Sequence, residues 1–194
     1  MSKIKVGIIG VGSCAKSLVE GVQYYNENPE DKVGLMYPDI GGYGTKDIEF
    51  VMGFDIDVRK VNKPLAEALR AAPNCSMNHV NTIHTNGDSN SSCVKSKAMV
   101  YSAPELDGIA PHMHDYPDEV TFVNGAIPAE SFDRTVELIK YHDVDVLINY
   151  LPVGSEDATK YWIDVAIKAG VNFVNCIPTL ISTDDAMETE QRFI

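Results

Sequence analysis

Two kinds of hydrophobic pattern alternate along the chain. Residues 3–10 carry Ile4, Val6, Ile8 and Ile9 almost without interruption, the pattern of a parallel strand buried on both faces. After the run Gly10-Val11-Gly12-Ser13-Cys14-Ala15, the apolar positions Ala15, Leu18, Val19 and Val22 recur at helical spacing, with Ser13 placed to cap the helix. Residues 26–46 lose this period and gather Asn, Pro and Gly, a loop signal strongest at Gly41-Gly42-Tyr43-Gly44. Residues 48–54 read as a second strand ending at Asp55, and residues 58–71 as a helix that Pro64 starts or breaks.

Residues 73–117 are rich in Asn, Ser, His and Pro and keep no period. A structureless loop of that length is unusual in a compact domain, so this poorly structured excursion is expected to carry one or two short elements. Order then returns. Residues 119–123 read as a short strand, and residues 129–142 as an amphipathic helix with Phe132, Val136 and Ile139 on one face. Residues 144–150 read as a buried strand. Pro152-Val153-Gly154-Ser155 turns into a helix through Ala169, with Gly170 as its C-cap and residues 171–176 as the next strand. Thr183-Asp184-Asp185 then caps a further helix running to Ile194.

Strands alternating with helices predict an α/β fold built on a doubly wound, mostly parallel sheet. The sheet reads as incomplete at the C-terminus, as in a fragment or one half of a split protein. The expected organisation is one domain over residues 1–182 and the start of a further helix over residues 183–194.

Composition narrows the function classes. Twenty-eight acidic residues against 16 basic ones give a formal net charge of −12, which disfavours nonspecific binding to nucleic acid or to an anionic membrane. No stretch is apolar for long enough to be a signal peptide or a membrane span, so a cytoplasmic protein is expected. The four cysteines, Cys14, Cys75, Cys93 and Cys176, form no C-x-x-C pair and argue against a disulfide framework. Cys75, His79, His84 and Cys93, or His112 with His114, match no zinc spacing, and no metal site is expected.

The chemistry is concentrated at the first turn. Gly10-x-Gly12-x-x-Ala15, between a buried strand and a helix, is the Gly-x-Gly-x-x-Ala dinucleotide fingerprint of Rossmann-type folds. Gly10 permits the tight turn, Gly12 lets backbone approach a pyrophosphate, and Ala15 allows close packing of helix on strand. The helix N-terminus then supplies N–H groups and a favourable dipole. Asp55, at the end of the second strand, is the candidate for the ribose hydroxyls. It lies 43 residues beyond Gly12, and the loop at 26–46 explains the long gap. The other reading of Asp55 is a carboxylate that merely caps the next helix. An acid here disfavours a ribose phosphate, so NAD is expected rather than NADP.

Four blocks carry a family resemblance. They are Gly-Val-Gly-Ser-Cys-Ala-Lys-Ser-Leu-Val-Glu-Gly-Val-Gln-Tyr-Tyr at 10–25, Asp-Ile-Glu-Phe-Val-Met-Gly-Phe-Asp-Ile-Asp at 47–57, Asp-Val-Leu-Ile-Asn-Tyr-Leu-Pro-Val-Gly-Ser at 145–155 and Phe-Val-Asn-Cys-Ile-Pro at 173–178. In this order they resemble the prokaryotic inositol-phosphate synthases (myo-inositol-1-phosphate, equivalently 1L-myo-inositol 3-phosphate, synthases). The likeness runs from Val6 to about Ser182 and is poor over 73–117. It implies conversion of glucose 6-phosphate to inositol phosphate by oxidation, intramolecular aldol closure and reduction on one bound NAD. It also implies cofactor contacts from the Ser13–Cys14 backbone, Tyr150, Pro152, Ser182 and, more loosely aligned, Ala129. The family usually has Asn where Ser13 stands and often Ser where Asn149 stands. Its catalytic lysines match no lysine here. Lys160 and Lys168 read as solvated surface charges, so no catalytic residue is assigned. The resemblance further implies a homo-tetramer, or pairing with a complementary catalytic half. The competing readings are a non-catalytic NAD-binding module and another NAD-dependent sugar or amino-acid dehydrogenase.

Overall fold

A computed structural model describes residues 2–78, 80, 96–109, 111–125 and 127–179. Five parallel strands form its sheet: β1 (Ile4–Ile9), β2 (Ile48–Asp55), β3 (Met99–Ser102), β4 (Val146–Asn149) and β5 (Asn172–Asn175), in the order β3-β2-β1-β4-β5. The order reverses at β1, whose neighbours are β2 on one edge and β4 on the other, so the carboxyl ends of β1 and β4 flank a topological switch point. This is a Rossmann-like α/β sheet.

Side chains that alternate along the strands feed two apolar layers. One face buries Val6, Ile8 and Val100 against Ala15 and Val19 of helix α1 (Ser13–Glu27) and against Leu65 and Ala68 of the short helix α2 (Leu65–Ala68). The other buries Ile9, Met52, Phe54 and Leu147 against α3 (Phe132–Tyr141) and α4 (Glu156–Ala169). Trp162 of α4 is 1% exposed and packs on Phe54 with ring centroids 4.7 Å apart. A sheet covered on both faces explains why its strands read as near-continuous apolar runs. Gly170 ends α4 in the left-handed conformation (φ 76°), as a glycine C-cap should.

Three expectations are corrected. The helix foreseen over 58–71 is confined to Leu65–Ala68, because Pro64 is its N-cap and residues 58–63 are turns closed by hydrogen bonds such as Lys60 N–H to Asp57 carbonyl. Residues 119–123 form no strand; Val58 N–H donates to the Val123 carbonyl, and a single bridge joins Asp57 to Asn124. Ser13 is not the cap of α1. Gly12 holds that position, and Ser13 is the first helical residue. The excursion does contain short elements: β3, and a 3-10 turn over Pro111–Asp115. The helix foreseen from Thr183 lies outside the described residues.

A buried ion pair fastens residues 118–123, just after the excursion, to the turn that follows β2. Asp57 has no exposed surface, and its carboxylate accepts the Arg59 guanidinium and the Val123 N–H. Arg59 in turn donates to the Asp118 and Thr121 carbonyls. Burial pushes the Asp57 carboxyl up, but the Arg59 bonds and the backbone N–H groups outweigh it and hold it below its ordinary value. Breaking a fully buried pair costs about 3–5 kcal/mol; because the Arg59 side chain keeps 26% of its surface exposed, we expect about 2–3 kcal/mol for Asp57→Asn at neutral pH. A carboxyl depressed on folding gives stability that is present above its unfolded value, about 3.9, and is lost as pH falls through the folded one. Urea unfolding from pH 7 down to 2 checks this: wild type and variant should converge in acid, and a constant gap would contradict it.

Candidate functional site

The site forms at the switch point, where β1 ends in the glycine turn. Gly10 has φ +84°, its N–H donates to the Phe54 carbonyl at 2.9 Å, and a Cβ on it would stand 2.9 Å from the Tyr150 carbonyl oxygen. Only glycine meets both demands. The turn is thereby pressed between the ends of β2 and β4.

At Gly12 the situation is the opposite. A Cβ there would meet nothing within 4 Å, so the backbone faces open space. Gly12 caps α1 without a side-chain hydrogen bond, and no acidic residue stands in the first turn. The first N–H groups of a helix have no intrahelical partner and carry the positive end of its dipole. The beginning of α1 therefore offers donors and room to an anionic group, the two conditions a pyrophosphate imposes.

Asp55 faces this turn. Its Oδ2 accepts the Val11 N–H at 2.8 Å, and its Oδ1 accepts the N–H groups of Ile56 (2.8 Å) and Asp57 (2.9 Å). Its side chain is 10% exposed, and the Lys60 ammonium, 5% exposed, lies 3.6 Å from Oδ2. Lys60 also donates to Asn74 Oδ1 at 3.1 Å, while Asn74 Nδ2 donates to the carbonyls of Val11 (3.0 Å) and Leu69 (3.1 Å). Asp55, Lys60 and Asn74 thus clamp Val11 by both its N–H and its carbonyl. Asp55 does not cap the next helix, whose N-cap is Pro64; it holds the turn after β2 and lines the crevice. Nothing in the spacing of Lys60 or Asn74 pointed to them.

A cavity of about 370 Å³ opens beside the turn, within the range of small-molecule sites. Gly10, Gly12, Asp55, Tyr150 and Pro152 line it, together with residues 103–109. Ser13 and Cys14 lie at the start of α1, outside this lining. Ser13 Oγ accepts the Cys75 N–H at 3.1 Å, which leaves its backbone at the helix start. Burial pushes the Tyr150 phenol above its ordinary value, and the neighbouring Cys176 and Cys14 thiols add to the rise. Tyr150 is accordingly a neutral hydroxyl at physiological pH.

Ala129 is exposed near the end of β3, where Glu130 N–H donates to the Ser102 carbonyl, and it does not line the cavity. Ser182, His79, His84 and Cys93 lie outside the described residues. Cys14, Cys75 and Cys176 are free and exposed, and Lys160 and Lys168 are exposed on α4. Among the described residues no helix is long and apolar enough to cross a membrane.

No family model matches the chain. Among curated proteins, it is 41% identical to the inositol-3-phosphate synthase of Mycolicibacterium smegmatis over 184 residues, and 41% identical to that of Corynebacterium glutamicum over 185. Each alignment covers 94% of this chain and 46% of the relative, so the chain spans about half the length of the curated relatives it matches. Among solved structures, a myo-inositol-1-phosphate synthase-related protein from Thermotoga maritima superposes with a TM-score of 0.72 at 20% identity, covering 97% of this chain and 51% of that one. The crystal structure of Ari2 superposes with a TM-score of 0.71 at 25% identity, covering 97% and 49%. Over nearly all of its length, therefore, the chain is similar to about half of an inositol-3-phosphate synthase.

Proposed function

We propose that the crevice binds NAD and that residues 1–182 are the dinucleotide-binding portion of an inositol-3-phosphate synthase acting on glucose 6-phosphate. The observation that carries this reading is the start of α1: a helix N-terminus whose cap, Gly12, has no side chain to take its first N–H groups, with open space where a side chain would stand. The N–H groups of residues 12–14 would receive the pyrophosphate. The Asp55 carboxylate accepts three backbone N–H groups and pairs with the Lys60 ammonium at Oδ2, so a ribose hydroxyl would bind there by taking the place of Lys60 on that oxygen. Lys60 stands against Asp55 and Asn74 rather than facing a ribose phosphate, which favours NAD over NADP. Tyr150 and Pro152 would border the cofactor from β4, with Ser182 and Ala129 as outer contacts carried by the family likeness.

Bound NAD would supply the hydride acceptor and then the hydride donor for a reaction with no net redox change. The chain's own groups would hold and orient the dinucleotide and exclude water from one side of it. No residue of this chain is given a catalytic role. The catalytic lysines would then belong to polypeptide outside these 194 residues, in the same chain or in a complementary one, and the assembly would be a homo-oligomer in the cytoplasm.

Two glycine variants test the reading. Gly10→Ala forces a left-handed backbone on an alanine beneath the Tyr150 carbonyl, and we expect it to cost about 1–3 kcal/mol in urea unfolding. Gly12→Ala enters open space and should cost only the preference for glycine over alanine at an N-cap, about 1 kcal/mol or less. By calorimetry it should nevertheless weaken NAD binding by roughly tenfold or more, since the methyl stands where the pyrophosphate must approach. Equal NAD affinity in Gly12→Ala would remove the pyrophosphate from this turn.

The purified chain should also bind NAD in preference to NADP and show no conversion of glucose 6-phosphate to inositol phosphate. Turnover by the chain alone would overturn the assignment of catalysis to other polypeptide. Absence of NAD binding would favour a module that no longer holds the cofactor.

A further inference from the structure

Residues 103–109 form a strap that leaves β3 and ends on α4. It starts where the Ala103 N–H donates to the Asp55 carbonyl at 3.0 Å, on the same residue whose carboxylate holds the glycine turn. Partway along, Asn124 donates to the Glu105 carboxylate. At its end, Asp107 Oδ2 accepts the Asp157 N–H at 2.8 Å and Oδ1 accepts the Ala158 N–H at 2.9 Å. Every residue of the strap lines the 370 Å³ cavity.

The attachment is unusual in its source. Helix α4 begins after Ser155, which belongs to a residue type favoured at N-caps, yet the Ser155 side chain makes no cap hydrogen bond. Its Oγ is buried and has no hydrogen-bond partner. The cap comes instead from a carboxylate 50 residues away in sequence. Gly108 fits the strap to this spot: its φ is +82°, and a Cβ on it would overlap Ser155 Oγ and stand 2.9 Å from Ser155 Cβ. Burial pushes the Asp107 carboxyl up, but the N–H groups of Ala158, Asp157 and Glu156 outweigh it and hold it below its ordinary value. The bonds to α4 are therefore made by an ionised acceptor at neutral pH, the stronger kind.

We propose that Asp107 is a positioning residue that fastens this strap to α4 as a wall of the crevice and so sets how long a dinucleotide stays bound. This rests on the NAD-binding reading. A reaction that takes a hydride from its substrate and later returns it fails if the cofactor leaves between the two steps, so slow release is a functional requirement. A wall that lines the same cavity as the glycine turn, and is held by bonds that can be removed one at a time, is the element that would govern release.

The experiment compares wild type, Asp107→Asn, Gly108→Ala, Asp107→Glu and Ser131→Ala. Ser131 caps α3 through the Arg134 N–H and does not line the cavity, so its variant loses a helix cap without touching the strap. Two readouts are taken: amide hydrogen exchange without cofactor, and NADH dissociation by stopped-flow fluorescence. In Asp107→Asn we expect exchange at Asp157 and Ala158, and across 103–109, to speed up by roughly tenfold, the effect of losing one charge-assisted bond. NADH dissociation should rise by a similar factor with the association rate nearly unchanged. Gly108→Ala should move dissociation the same way, and Asp107→Glu should recover part of the effect. Ser131→Ala should lower stability and leave dissociation unchanged. If wild type binds NADH and Asp107→Asn releases it no faster, Asp107 is a helix cap alone and the proposal fails. It fails too if exchange at Asp157 and Ala158 does not respond. If wild type binds no NADH, the functional reading itself falls and the retention role with it.

Discussion

The Asp55 carboxylate is the contact on which the crevice depends. It joins the end of β2 to Val11 of the glycine turn, and the same residue's carbonyl starts the strap that walls the cavity. With 10% exposure and three backbone N–H groups, it is a structural element first. Removing it would leave the Val11 N–H and the Lys60 ammonium facing each other without their common acceptor, both in largely buried positions. The turn would then lose the restraint that keeps Gly12 and the start of α1 aimed at the opening.

Around that contact the strand order does the positioning. Because β2 and β4 both lie beside β1, three strand ends converge on one short turn, and Gly10 fits among them by having no side chain. Helix α1 then leaves from an open N-terminus, whereas α3 and α4 begin under a Ser131 cap and an Asp107 cap. The difference is informative. Two helices have their first donors satisfied by the protein itself, and the third, at the glycine turn, has room for an external anion.

The parts legible from the sequence were those whose local pattern and tertiary role agree. A β-branched run, a glycine turn and a 3.6-residue period gave β1 and α1, and similar runs gave β2, β4 and β5. β3 was not legible as a strand, because Met99–Ser102 is only four residues long and lies in polar, aperiodic sequence. The helix expected over 58–71 failed because Asp57 turns the chain with Arg59 and Val123, a long-range constraint invisible to periodicity. Gly10, Gly12 and Asp55, expected from the motif, and Tyr150 and Pro152, expected from the family likeness, line one cavity. Lys60, Asn74 and Asp107 were missed because their partners stand far off in sequence or belong to the backbone, which no side-chain spacing records. Ser13 stands one position inside the expected cap, since glycine is itself favoured at an N-cap.

Central to this picture is a dinucleotide seated with its pyrophosphate on the first turn of α1 and its ribose at Asp55. The most direct measurement is an NAD titration of the isotopically labelled chain followed by backbone amide NMR. Saturable shifts should be largest at residues 11–15, at residues 55–57 and at Tyr150, with α3 silent. Shifts centred elsewhere, or none at saturating NAD, would contradict it.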